Sequence, residues 1–237
     1  MSCFSLFMRF LCAILFISCA PSITVQASDL DAQQSGAYPD EWWAPVPRDQ
    51  AKSWEILPQD AGPGEVILSK RTSLGILSNF APTPIELDGV RYASVEGFWQ
   101  MMKFPENDDD PRMNAPGVIW PMTRGEVGQL TAFAAKDAGT FGSKVMKQMG
   151  INWVTYRGKQ MTYKTAEKGD HFALIVRATR AKVSQNPEVR RILLQTGDLV
   201  LKPDHHQEPD ASPAWKYYEI LMTIRGEIRT DNPPGSK

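Results

Sequence analysis

Glu96, Gln100 and Lys103 stand four and three residues apart in Val95-Glu96-Gly97-Phe98-Trp99-Gln100-Met101-Met102-Lys103-Phe104. A helix turns about 100° per residue, so these three share one stripe. Val95, Phe98, Trp99 and Met102 form an apolar stripe about 110° away on the same helix. The polar stripe therefore lies at the rim of a core. A carboxylate held against apolar walls can stabilise positive charge at a reacting carbon or take a proton from water. An ammonium one turn away can offset its charge or meet a phosphate. The bland alternative is a solvated Glu/Lys face, where such pairs support a helix by a few tenths of a kcal/mol.

Other residues invite chemistry less strongly. Ser78-Asn79-Phe80 before Ala81-Pro82 offers an amide for a sugar or base, or a turn Asn that caps local backbone. Trp153, beside Asn152 and Tyr156, can stack on a planar ring or simply pack. Asp204-His205-His206-Gln207-Glu208-Pro209-Asp210 suggests a metal, but adjacent histidines seldom converge on one ion. Asn107-Asp108-Asp109-Asp110-Pro111 lacks the alternation and central Gly of a calcium loop. No Gly-rich phosphate loop, Gly-x-Ser-x-Gly or His-Glu-x-x-His is present. We expect no metal and no cofactor.

The elements that must position these residues are mostly helical. Ser94 caps a helix predicted to run to about Lys103. Thr123–Ala138 and Phe141–Met149 are two further candidates. Phe172, Ile175, Val176, Thr179 and Val183 keep helical spacing. Asn186-Pro187 supplies an N-cap and a first-turn proline for the next helix, which Gly197 ends. Ala214–Arg225 is a last helix with Tyr217, Leu221 and Ile224 on one side. Glu65–Leu68 is a short strand candidate. Pro84–Tyr92 alternates around Asp88-Gly89, a dipeptide suited to a tight hairpin. The pattern predicts an α+β fold, a single helix-dominated domain with a small antiparallel β element.

Composition sets the bounds. The 237 residues carry 26 Lys+Arg against 27 Asp+Glu, a formal net charge of −1, which argues against strong nucleic-acid binding. The three cysteines fall within the first nineteen residues. Residues 1–27 hold one basic residue, Arg9, and no acid, followed by an apolar run from Phe10 to Ile17. That run fits a signal-peptide core and is too short to span a bilayer as a stable helix. Its exit is cleavage after Ala27, or a lipoprotein signal ending near Cys19 after Phe16-Ile17-Ser18. The expected location is exported, periplasmic or membrane-anchored, with the membrane reached only through a lipid at Cys19. Cleavage at Ala27 leaves no cysteine, which excludes a disulfide scaffold and a thiol nucleophile. Residues 28–63, punctuated by Pro39, Pro45, Pro47, Pro58 and Pro63, read as an extended arm that packs Trp42, Trp43 and Trp54 on the domain. Residues 64–229 form the domain, and 230–237 a disordered tail.

Several blocks, in order, resemble the NADAR (YbiA-like) domain family. They are Leu77-Ser78-Asn79-Phe80-Ala81, Pro84–Gly89, Ser94-Val95-Glu96 with Gln100-x-x-Lys103-Phe104, Arg177–Val183, Gln185-Asn186-Pro187, Leu193-Leu194-x-Thr196-Gly197 and Leu221-Met222-x-x-Arg225. The resemblance spans about residues 65–228. It implies a YbiA-like fold and an N-glycosidase-like hydrolase that cleaves an N-ribosidic bond in a small nucleotide-like or ADP-ribosylated substrate. The transition state would be oxocarbenium-like and stabilised by a carboxylate. By this resemblance Glu96, Trp153 and Asp210 are the catalytic candidates. Asn79, Phe80, Gln100, Lys103 and His206 are the substrate-binding candidates. Asp210 or His206 would protonate or position the leaving group. The histidine that usually follows the family's glutamate is Gly97 here, and its Gly-rich carboxyl-terminal loop is absent. A non-catalytic ADP-ribose or nucleotide-binding module, or a structural surface lipoprotein, is the competing expectation.

Overall fold

Asp88 and Gly89 set the first hairpin: both take positive φ, 51° and 80°, the conformation of a type I′ turn. The turn joins β2 (Ile85–Leu87) to β3 (Val90–Tyr92), with Ile85 opposite Tyr92 and Leu87 opposite Val90. We describe residues 38–231 of a computed structural model. The three cysteines, the signal segment with either exit, and residues 232–237 lie outside these.

Two further strand pairs complete the β structure. β1 (Glu65–Ile67) runs parallel to β6 (Val200–Lys202), with Val66 opposite Leu201. β4 (Trp153–Tyr156) and β5 (Lys159–Thr162) form a second antiparallel hairpin, its turn made by Arg157 and Gly158 at positive φ. Sequence patterning named neither β4, β5 nor β6. The helices are α1 (Val95–Met101), α2 (Arg124–Gly128), α3 (Ala132–Gln148), α4 (Asp170–Gln185), α5 (Pro187–Gln195) and α6 (Tyr217–Asp231). The fold is α+β and dominated by helices. Among the described residues no helix is long and apolar enough to cross a membrane.

Some helix boundaries differ from the sequence expectation: the last helix, for one, runs Tyr217–Asp231 instead of Ala214–Arg225. The break between α2 and α3 falls at residues 129–131, not near Thr140. Thr123 starts α2 with a capping box to Glu126, so that start is where the hydroxyl placed it. Gly139 and Gly142 do not end a helix. They lie inside α3, where it crosses α1 too closely for side chains. A Cβ on Gly142 would meet Lys103 Cβ at 2.9 Å, and one on Gly139 would meet Gln100 Oε1 at 1.7 Å. Asn186 sits at the start of α5 but makes no side-chain cap. Its amide instead donates to the carbonyls of Lys182 and Pro84, tying α4 to the hairpin.

Every side chain of α1 is buried. Ser94 Oγ accepts from Gly97 N at 2.9 Å and donates to Leu130 O at 2.9 Å, so one hydroxyl caps α1 and holds the α2–α3 link. The end of α1 is held by two buried guanidinium groups. Arg112 donates to Met102 O, Asp110 and Thr155 Oγ1. Arg124 donates to Phe104 O and Thr155 O. Burial pulls Arg124 down to about 10. Residues 38–63 contribute to the same core. Trp42 is fully buried and donates to Ser73 Oγ at 2.9 Å, and Trp43 donates to Glu65 O at 3.0 Å.

Candidate active site

The packing of α1 against α3 and the loop at Asn79 leaves a cavity of about 490 Å³. One wall is α1, which presents Glu96, Trp99, Gln100 and Lys103. A second is the Ser78-Asn79-Phe80 loop, with Lys70 before it. α3 adds Phe133 and Lys136. The carboxyl-terminal wall brings Tyr163 and Lys164, then His205, His206 and Gln207, then Trp215 and Tyr217. Trp54 closes the remaining edge.

The loop at Asn79 is fixed by its backbone. Asn79 O accepts from Glu96 N at 3.0 Å, and Phe80 O accepts from Ala132 N at 3.1 Å. Beneath it, Lys182 is fully buried and donates its ammonium hydrogen to Ser78 O. Burial alone pushes Lys182 down to about 7.

Glu96 is 8 % exposed and accepts from Gln100 Nε2 at 2.7 Å. Burial raises its pKa, opposed by the Gln100 hydrogen bond and the positive charges of Lys103, Lys136 and Lys70. Lys103 is pulled down to about 8 by burial, with Glu96 opposing. Its Nζ lies 5.3 Å from the centre of the Tyr163 ring and donates weakly to Gly139 O at 3.4 Å. Four lysines therefore share the lining with one carboxylate, Glu96, so the cavity favours an anion. Its walls are aromatic and low in dielectric, which suits a planar ring. Buried polar atoms without a protein partner cost about 1–3 kcal/mol each. Four of them belong to this lining: Gln100 Oε1, Gln207 Oε1, Trp215 Nε1 and Tyr217 Oη. They offer two acceptors, a donor and a hydroxyl to a polar ligand.

The residues singled out in sequence divide cleanly. Glu96, Gln100, Lys103, Asn79, Phe80 and His206 line the cavity. Trp153 and Asp210 do not. On a strand, residues two apart share a face. Trp153 therefore lies on the side of Thr155, where Arg112 stacks over its ring at 4.8 Å. Asp210 is exposed in a turn, and Trp215, five residues on, is the side chain that returns to the cavity. His206 is the open member of its pair, 79 % exposed against 39 % for His205. Gly97 has no room for a side chain: a Cβ there would meet Leu130 O at 2.4 Å.

Sequence reasoning missed Lys70, Tyr163, His205, Trp215 and Tyr217. Only His205 had a local signal, its place beside Asp204. No family model matches the chain, and no curated protein matches it. Among solved structures, the NMR structure of the E. coli protein YbiA is similar at 20 % identity and a TM-score of 0.44. The likeness covers 76 % of this chain and 91 % of that one.

Proposed function

We propose that the cavity binds a nucleotide-like or ADP-ribosyl anion and hydrolyses its N-ribosidic bond. The observation that carries this reading is a single buried carboxylate, Glu96, in an aromatic cavity otherwise lined by cations. Breaking the bond between the anomeric carbon and nitrogen builds positive charge on the ribose, as in other glycoside cleavages. Glu96, when ionised, faces that charge or removes a proton from the attacking water. Gln100 fixes the orientation of its carboxylate. The lysines hold phosphate oxygens, the Asn79 loop meets ribose hydroxyls, and the aromatic walls sandwich the leaving ring.

The test uses the purified full chain with NAD, ADP-ribose and nucleoside 5′-phosphates. Release of free base is followed by chromatography. Glu96→Gln keeps the shape and the Gln100 contact but removes the charge. We expect it to lose about 100-fold or more in base release. Because burial raises its pKa, the wild-type rate should fall as pH drops and Glu96 takes up a proton, and Glu96→Gln should lack that acid limb. Equal rates for wild type and Glu96→Gln refute the assignment. A thermal shift with no base released from any of these substrates would mark a binding module instead.

A further inference from the structure

Asp204 is 1 % exposed, and two side-chain nitrogens meet its carboxylate. Lys70 Nζ lies 2.5 Å from Oδ2, and His205 Nδ1 lies 3.1 Å from Oδ1. Burial acts to raise the pKa of Asp204, but the hydrogen bonds from His205 and Lys70 outweigh it, and the net shift is downward. An ionised carboxylate can only accept, so Nδ1 of His205 carries a hydrogen and its Nε2 is left for the cavity that His205 lines. The backbone beneath is also held. Ile56 N donates to Asp204 O at 2.8 Å, and Glu55 bridges His205 as an isolated antiparallel pair. Glu55 is in turn fixed by Arg71. The imidazole lies nearly parallel to the Tyr217 ring, 9° apart with centres at 6.5 Å. Nothing in this arrangement serves packing alone: a side chain that is 39 % exposed is aimed by a buried carboxylate.

We infer that His205, oriented by Asp204, is the proton donor to the leaving group, placed on the carboxyl-terminal wall of the cavity while Glu96 acts from α1. This rests on the N-ribosidic reading above. In the step, the bond from the anomeric carbon to nitrogen breaks and its electron pair passes into the leaving ring. The ring nitrogen that gathers the pair takes the proton from protonated His205 Nε2. Water adds its oxygen to the anomeric carbon and gives a proton to Glu96. The imidazole and the carboxyl group then return to their starting states by exchanging one proton through solvent. The charged and titratable groups around His205 are Asp204 on its own loop, Lys70 after β1, Glu55 on the amino-terminal segment with its partner Arg71 after β1, and Tyr217 on α6.

A pyridinium leaves as a neutral ring and needs no proton, whereas hypoxanthine does. The experiment therefore compares nicotinamide mononucleotide with inosine 5′-monophosphate, using full-length wild type, His205→Gln and Asp204→Asn. We expect His205→Gln to slow hypoxanthine release by about 100-fold or more and nicotinamide release far less. Nitrogen-15 spectra of histidine-labelled wild type should show His205 protonated at Nδ1 in its neutral form, and Asp204→Asn should abolish that preference. Equal slowing of both substrates by His205→Gln would overturn the proposal, as would no slowing or a neutral form protonated at Nε2. In each of those cases wild-type cleavage still stands. If wild type cleaves neither substrate, the N-ribosidic reading fails and takes this proposal with it.

Discussion

Glu96 is held in a setting that works against its own charge. Its pKa in the folded chain is raised by burial above the ordinary glutamate value of 4.5. The folded state therefore keeps a proton that the unfolded chain gives up. Stability linked to Glu96 is full below pH ~4.5 and is lost as pH rises through the raised folded value. Glu96→Gln has no such loss and keeps an oxygen for Gln100 Nε2. We expect this variant to melt higher than wild type at pH 7, with the gap closing toward pH 4, in parallel thermal scans. A lower melting temperature at pH 7 would mean that the ionised carboxylate stabilises the fold. Lys103 has the opposite linkage: its pKa falls from 10.5 to about 8. The unfolded chain binds more protons between those values, so the penalty of burying the ammonium is full below pH ~8 and fades toward 10.5. Lys103→Met should therefore gain most stability over wild type below pH 8. Chemical denaturation at pH 7 and pH 10 checks this, and a gain equal at both values contradicts it.

α1 shows at the element scale what could be read from sequence. Ser94, the apolar stripe and the Glu96–Lys103 spacing are local, and a seven-residue helix with its cap follows from them. The Asp88-Gly89 hairpin was legible for the same reason: its turn is decided by two adjacent residues. The α2–α3 break was misplaced because Gly139 and Gly142 look like punctuation until the partner helix is known. Their role is proximity, which no local pattern encodes. It also yields a sharp expectation. Gly→Ala in an open helix stabilises by about 0.5–1 kcal/mol. At Gly139 the added Cβ would stand 1.7 Å from Gln100 Oε1 and 2.2 Å from its Cδ, so the whole amide must move. Overpacking of this kind costs about 1–3 kcal/mol, enough to outweigh the helix gain. Gly139→Ala should be destabilised in urea titrations and should lose base release, because Gln100 no longer holds Glu96. A variant more stable than wild type would show that the seam has slack.

At the scale of the whole molecule the cavity is assembled from distant parts of the chain. Lys70 and Asp204 pair across 134 positions, and Lys182 reaches Ser78 across 104. Neither pairing has a sequence signal, because lysine and aspartate are common surface residues and only the fold brings these partners together. That Trp153 and Asp210 lie off the cavity has the same origin. Strand alternation turns Trp153 toward Arg112, and the turn at Asp210 delivers Trp215 instead. Residues 38–63 complete the assembly, since Trp42 enters the core, Trp54 lines the cavity and Glu55 bridges His205. Stability and site geometry should therefore fail together when this segment is weakened. Trp42→Ala removes a fully buried indole, a change that costs about 3–5 kcal/mol. A milder change, Glu55→Gln, removes the charge of the pair with Arg71 and keeps an amide oxygen for the guanidinium. Trp42→Ala should lower the melting temperature by many degrees. Glu55→Gln should lower it far less, yet it should weaken binding of ADP-ribose in calorimetric titrations if the segment shapes the cavity wall. Unchanged affinity in Glu55→Gln, together with wild-type affinity in whatever folded fraction of Trp42→Ala remains at low temperature, would separate the segment from the site and leave it a purely structural strap.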